Sequence, residues 1–140
     1  MANILLVNTD KEFINDIKTN LNLYQRDWQI SSVDSAKNCL DIVNSNDCLD
    51  IVIVGENLQD MPVLDLIKQI RDDSDVIVIF ISQDNEISTL MKAYEVGASD
   101  YVAQPINMFL FITRLKSLIR RKNWDKQARK TKCFRKAYSE

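Results

Sequence analysis

The side chains that could do chemistry are few, and residue type alone excludes most of the usual reactions. The 140-residue chain has no histidine, which removes Ser-His and Cys-His nucleophilic catalysis and every zinc site built on imidazole. Its three cysteines, Cys39, Cys48 and Cys133, lie too far apart in sequence to form a metal-ligand pair. Their odd number points to thiols in a reducing, cytosolic setting. Phosphate-cradling loops need closely spaced glycines, and only Gly55 and Gly97 are present. What remains is a set of small or polar residues that each follow an apolar run. Asn8 and Thr9 follow residues 4–7, Gly55 follows 51–54, Ser82 follows 76–81, and Gln104 follows 101–103. The nearest carboxylates are Asp10, Glu56, Asp60 and Asp65. Asp10 reads as the cap of a first helix. Glu56 reads as a solvated loop acid aimed away from the others, because adjacent strand positions face opposite sides. Asp60 reads as a loop acid, and Asp65 as a helix-surface acid.

The elements that must hold these residues alternate along the chain. Continuous apolar runs at 4–7, 51–54 and 76–81 read as strands, and Ile30 with Val33 and Tyr101 to Ala103 as two weaker ones. Between them, apolar residues recur at helical spacing: Phe13, Ile14, Ile17 and Leu21; Ala36, Cys39, Leu40 and Val43; Leu64, Ile67 and Ile70. Ile87, Leu90, Met91 and Tyr94 continue the pattern up to Gly97, a C-cap, and Phe111, Ile112, Leu115, Leu118 and Ile119 supply the last stripe. Strands apolar at every position are buried on both faces, which is the habit of parallel sheets. Five strand-helix repeats therefore predict an α/β, doubly wound, five-stranded parallel sheet. Ligands of such sheets bind at the carboxyl ends of the strands, where Asn8, Thr9, Gly55, Ser82 and Gln104 fall. The longest apolar run is far short of the roughly 20 residues that cross a bilayer, so a soluble protein without membrane contact is expected.

With these motifs in place, the chain resembles the receiver domains of two-component response regulators over roughly residues 2–122. The segment Val96-Gly97-Ala98-Ser99-Asp100-Tyr101-Val102-Ala103-Gln104-Pro105 is similar to the family's G-A-x-D-Y-[LV]-x-K-P stretch, and Ile79-Phe80-Ile81-Ser82 to its fourth strand. The resemblance implies a flavodoxin-like sheet in the order 2-1-3-4-5, helices on both faces, and a cis Gln104-Pro105 bond. It also places the family's phosphoacceptor aspartate on Gly55, its magnesium-binding acidic pair on Asn8 and Thr9, and its phosphate-contacting lysine on Gln104. Ser82 keeps the hydroxyl, and Tyr101 keeps the aromatic that reports activation. Glycine has no nucleophile, and neutral Asn8 and Thr9 lack the charge that offsets magnesium dehydration. Gln104 lacks the cation.

A degenerate phosphorylation pocket with no catalytic residue, metal or cofactor is therefore expected, on a phosphorylation-independent pseudo-receiver that is not an enzyme. Three alternatives stand beside it. The chain could be the regulatory domain of a longer protein with a diguanylate cyclase or DNA-binding output, a small-ligand sensor using the emptied pocket, or a nucleic-acid binder. The last is suggested by charge: residues 112–140 carry eleven Lys and Arg against two acids, and the rest carry seven against eighteen. A solvated basic helix is favoured over nucleic acid. Residues 1–122 form the expected receiver-like domain, and 123–140 a basic helical extension or linker. A helix from Met108 to Tyr138 meets no Gly or Pro, and Trp124, Ala128, Thr131, Phe134 and Tyr138 form a thin apolar stripe along it. By the resemblance, a protein partner or a second copy engages the region from Ile87 to Lys122 and the C-terminal helix. A cytoplasmic dimer is the expectation.

Overall fold

The continuous apolar runs form strands and the spaced ones form helices. A computed structural model of the chain describes residues 2–45 and 48–138, with 125–138 as backbone alone. The elements are β1 (Asn3–Val7), α1 (Lys11–Tyr24), β2 (Gln29–Val33), α2 (Ala36–Ser45), β3 (Ile51–Gly55), α3 (Val63–Asp73), β4 (Ile77–Ser82), α4 (Ile87–Glu95), β5 (Asp100–Ala103) and α5 (Met108–Tyr138). The pairings are parallel and the order is β2-β1-β3-β4-β5. β3 and β4 are buried at every position and β1 at nearly every one, whereas the edge strand β2 is largely open.

Alternation along the central strands divides the core into two layers. Leu5, Val7, Val52, Val54, Val78 and Phe80 join residues of α2 and α3 in one cluster. The intervening Ile4, Leu6, Ile51, Ile53 and Ile79 serve the opposite face, where α1 buries Ile14, Ile17 and Leu21. Right-handed crossovers demand this split, because the β1-to-β2 step runs against the direction of the later ones. Cys39 lies inside the first cluster, and burial pushes its thiol up to about 12. It is a packing group there, not a reagent.

Local signals set the ends of two helices as expected. Asp10 Oδ1 accepts the backbone N–H of Glu12 (3.0 Å) and Phe13 (3.3 Å), capping α1. Gly97 adopts φ +113°, and its N–H donates to the Tyr94 carbonyl (3.1 Å) while that of Ala98 donates to Ala93 (3.0 Å). This pair of bonds is a Schellman motif, which needs the left-handed residue.

One reading is completed and another corrected. The apolar stripe of α4 is only partly turned to the core: Ala93 is buried and Leu90 packs partly against it, while Ile87 and Met91 are 74% and 55% exposed. Periodicity marks a stripe without giving its direction, and here the small residue makes the close approach. Asp60 is also more than a loop acid. Its carboxylate oxygens accept the N–H groups of Ala36 and Lys37, both at 3.0 Å, so it caps α2 from the loop after β3. Those bonds hold its carboxyl below the usual range.

Residues 108–140 form a separate unit from 1–107. α5 is one continuous helix of 31 residues across Lys122, as expected, with Phe111, Ile112 and Leu115 buried along one stripe. Trp124 is exposed. The side chains of Ala128, Thr131, Cys133, Phe134 and Tyr138 lie outside the described residues. Among the described residues, no helix is long and apolar enough to cross a membrane.

Candidate functional site

Strand order reverses between β1 and β3, which opens the site at their carboxyl ends. The structure brings the expected residues together there. Gly55 ends β3 opposite Ile81, Ser82 ends β4 opposite Ala103, and the Gln104 N–H donates to the Ser82 carbonyl at 2.9 Å. The Gln104-Pro105 bond is cis, as the resemblance implied.

Asn8 follows β1 and is 3% exposed. Its amide lies over Gly55, so that a Cβ on Gly55 would meet Asn8 Nδ2 and stand 2.8 Å from Asn8 Cγ. Gly55 does not have a positive φ; close approach is what the glycine permits here. Asn8 Oδ1 accepts the Asp10 N–H at 3.2 Å, which fixes the amide. Thr9 is occupied too: its hydroxyl (2.7 Å) and its N–H (3.0 Å) both donate to the Asn57 carbonyl, tying the loops after β1 and β3.

Glu56 departs from expectation. Its carboxylate does not aim away from the pocket. Oε2 accepts the Ser82 hydroxyl at 2.8 Å, and Oε1 accepts the Gln83 N–H at 3.1 Å. Strand alternation does not govern it, because β3 ends at Gly55 and Glu56 already belongs to the loop. The buried Ser82 hydroxyl needs a partner, and a flexible glutamate supplies one. The signal available in the sequence was the pairing of an acid beside Gly55 with a hydroxyl at the end of the next strand.

The Ser82 hydroxyl also accepts the Asp84 N–H at 3.0 Å. Asp84 in turn takes the Thr89 hydroxyl (2.6 Å) and the Glu86 N–H (2.8 Å), which hold its carboxyl below the usual range. The Tyr101 hydroxyl donates to the Asp84 carbonyl. Tyr101 is 8% exposed, its ring edge-on to Phe80 at 5.6 Å between centroids.

The residues present do not fit magnesium. Asn8 and Thr9 are neutral and committed to protein partners, the Asp10 carboxylate caps α1, and that of Glu56 holds Ser82 and Gln83. Among the described residues no group of three or more His, Cys, Asp or Glu side chains converges. No covalent phosphoryl step can be drawn on Gly55, which has no nucleophile.

A doubly wound sheet in this order, with helices packed on it, defines a flavodoxin-like fold. The chain belongs to the response regulator receiver domain family, whose model matches residues 4–116. It is 26% identical over 121 residues to the heme response regulator HssR of Staphylococcus epidermidis, covering 86% of this chain and 53% of that protein. It is 30% identical over 103 residues to a two-component response regulator of rice, Oryza sativa, covering 73% of this chain and 16% of that one. The chain thus spans about half or less of these relatives. Among solved structures, a two-component response regulator from Clostridium difficile superposes with a TM-score of 0.80 at 23% identity, covering 88% of this chain and 99% of that one. A CheY-like receiver domain protein from Methanospirillum hungatei does so with 0.80 at 16%, covering 89% and 98%.

Proposed function

We propose that the protein is a phosphorylation-independent pseudo-receiver, a non-enzymatic cytoplasmic module that signals by binding protein. The observation that carries this reading is Gly55 beneath the Asn8 amide: where the resemblance places the phosphoacceptor there is no carboxylate, and a Cβ there would meet Asn8. The surface from Ile87 to Lys122 and the C-terminal helix are the partner region in this reading, supported by the outward apolar side chains of α4. The receiver-like domain ends near Lys122 and the basic remainder of α5 is its extension.

The experiment is intact-mass spectrometry after incubation with acetyl phosphate and magnesium. No acid-labile phosphate adduct is expected. An adduct, mapped to Glu56, Asp10 or any other residue, overturns the reading.

A second reading has one observation in its favour. The relatives are about twice as long or longer, and they include the transcriptional regulatory protein KdpE of Mycobacterium tuberculosis, 26% identical over 86% of this chain and 52% of that protein. In this reading the chain is the regulatory part of a longer protein with an output domain, and the full reading frame distinguishes the two. The ligand-sensor alternative has less support, because the Asn8 amide lies over Gly55 and the Glu56 carboxylate is engaged by Ser82 and Gln83.

A further inference from the structure

We propose that Glu56 is a positioning residue, a resident anion whose carboxylate holds the loop between β4 and α4, and through it Tyr101 and the start of α4, in one arrangement. The inference rests on the pseudo-receiver reading, since it assigns to a fixed carboxylate the negative charge that phosphorylation brings to other receivers.

The hydrogen bonds form an unbroken chain. Glu56 takes the Ser82 hydroxyl and the Gln83 N–H, so one carboxylate grips both the last residue of β4 and the first residue of the loop. Its charge strengthens both bonds, because ionised acceptors bind donors about twice as strongly as neutral ones. The Ser82 oxygen, thus oriented, accepts the Asp84 N–H. Asp84 then branches. Its side chain fastens the first turn of α4 through Glu86 and Thr89, and its carbonyl receives the Tyr101 hydroxyl. Ser82 and Tyr101 are buried, so each hydroxyl has limited access to water as an alternative partner. α4 is the helix whose Ile87 and Met91 face outward. The chain therefore runs from the degenerate pocket to an exposed apolar surface, and the group at its head is part of the polypeptide. The surface is presented without any modification of the protein.

The test uses the full chain as wild type, Glu56→Ala and Glu56→Gln. Amide hydrogen exchange reads the loop, and 19F NMR of 3-fluorotyrosine-labelled protein reads Tyr101, assigned with Tyr101→Phe. Glu56→Ala should speed exchange at Gln83, Asp84 and Glu86 by roughly 10- to 100-fold, the loss expected for a charge-assisted bond. The amides of β1 and α1 should hold steady and the Tyr101 resonance should move. Glu56→Gln, which keeps an acceptor without the charge, should fall between. It carries the test alone if the alanine variant does not fold. Exchange within about twofold of wild type at Gln83 and Asp84 overturns the proposal. So does a loosened loop with the Tyr101 resonance unmoved, since the relay would then end at the loop. Intact mass with acetyl phosphate on the same samples judges the pseudo-receiver reading separately.

Discussion

Replacing Gly55 by aspartate puts a carboxylate where the resemblance places the phosphoacceptor, and should damage the protein. The new Cβ would stand 2.8 Å from Asn8 Cγ and meet its Nδ2 as well, closer than side-chain atoms approach. Asn8 is buried, so its amide must rotate within a packed environment and release the Asp10 N–H it now accepts. Overpacking of this kind costs about 1–3 kcal/mol and the lost bond about 1 kcal/mol, for a total of about 2–4 kcal/mol. At about 3–4 °C per kcal/mol for a chain of this size, the melting temperature should fall by roughly 6–16 °C. Urea unfolding measures the loss, and the Asn8→Ala background tests its cause. With the amide gone, the cost of Gly55→Asp should shrink by about 1–3 kcal/mol, a coupling typical of residues in contact. Gly55→Asp alone should still bind no beryllofluoride with magnesium at micromolar concentration, because Asn8, Thr9 and Gln104 remain neutral. A variant as stable as wild type, or the same cost with and without the Asn8 amide, refutes the reasoning.

Gly97→Ala should destabilise by about 1–3 kcal/mol from strain at its positive φ. Further loss should follow because the new Cβ would stand 2.7 Å from Arg71 Cγ, and urea midpoints give the total. The Asp60 carboxyl is held down by the Ala36 and Lys37 N–H groups, so its folded pKa lies below its unfolded one. Its contribution is complete above the unfolded value near pH 4 and fades as pH falls through the folded one, so the stability gap to Asp60→Asn should stay constant at neutral pH and shrink as pH falls below about 4. A chain ending at Lys122 should sediment as a monomer and the full chain as a heavier species, with equal monomeric masses rejecting association through the extension.

The sheet was legible because β1, β3 and β4 are apolar at consecutive positions, a pattern with few other solutions. The helix ends were legible where a single residue decides them, as with Asp10 and Gly97. Contacts between segments distant in sequence were not. Asp60 caps a helix that begins 24 positions earlier, and nothing local to either segment announces the meeting. Glu56 was misjudged because a rule for strands was carried one residue beyond the strand. The α4 stripe was read as a face without a direction, since Ala93 is too small to outweigh Ile87 and Met91 in any pattern of hydropathy. The candidate site residues were legible as a group because each follows an apolar run, at or just past the end of a strand. What occupies the site, the side chains of Asn8 and Glu56, required the geometry.

The most direct measurement is the amide spectrum of the pocket in full-length protein, titrated with beryllofluoride and magnesium. A site already filled by its own amide and carboxylate predicts no saturable change at Gly55, Ser82 or Gln104. Saturable shifts at those three amides, spreading to Asp84 and Tyr101, would contradict the account and return the protein to the phosphorylated receivers.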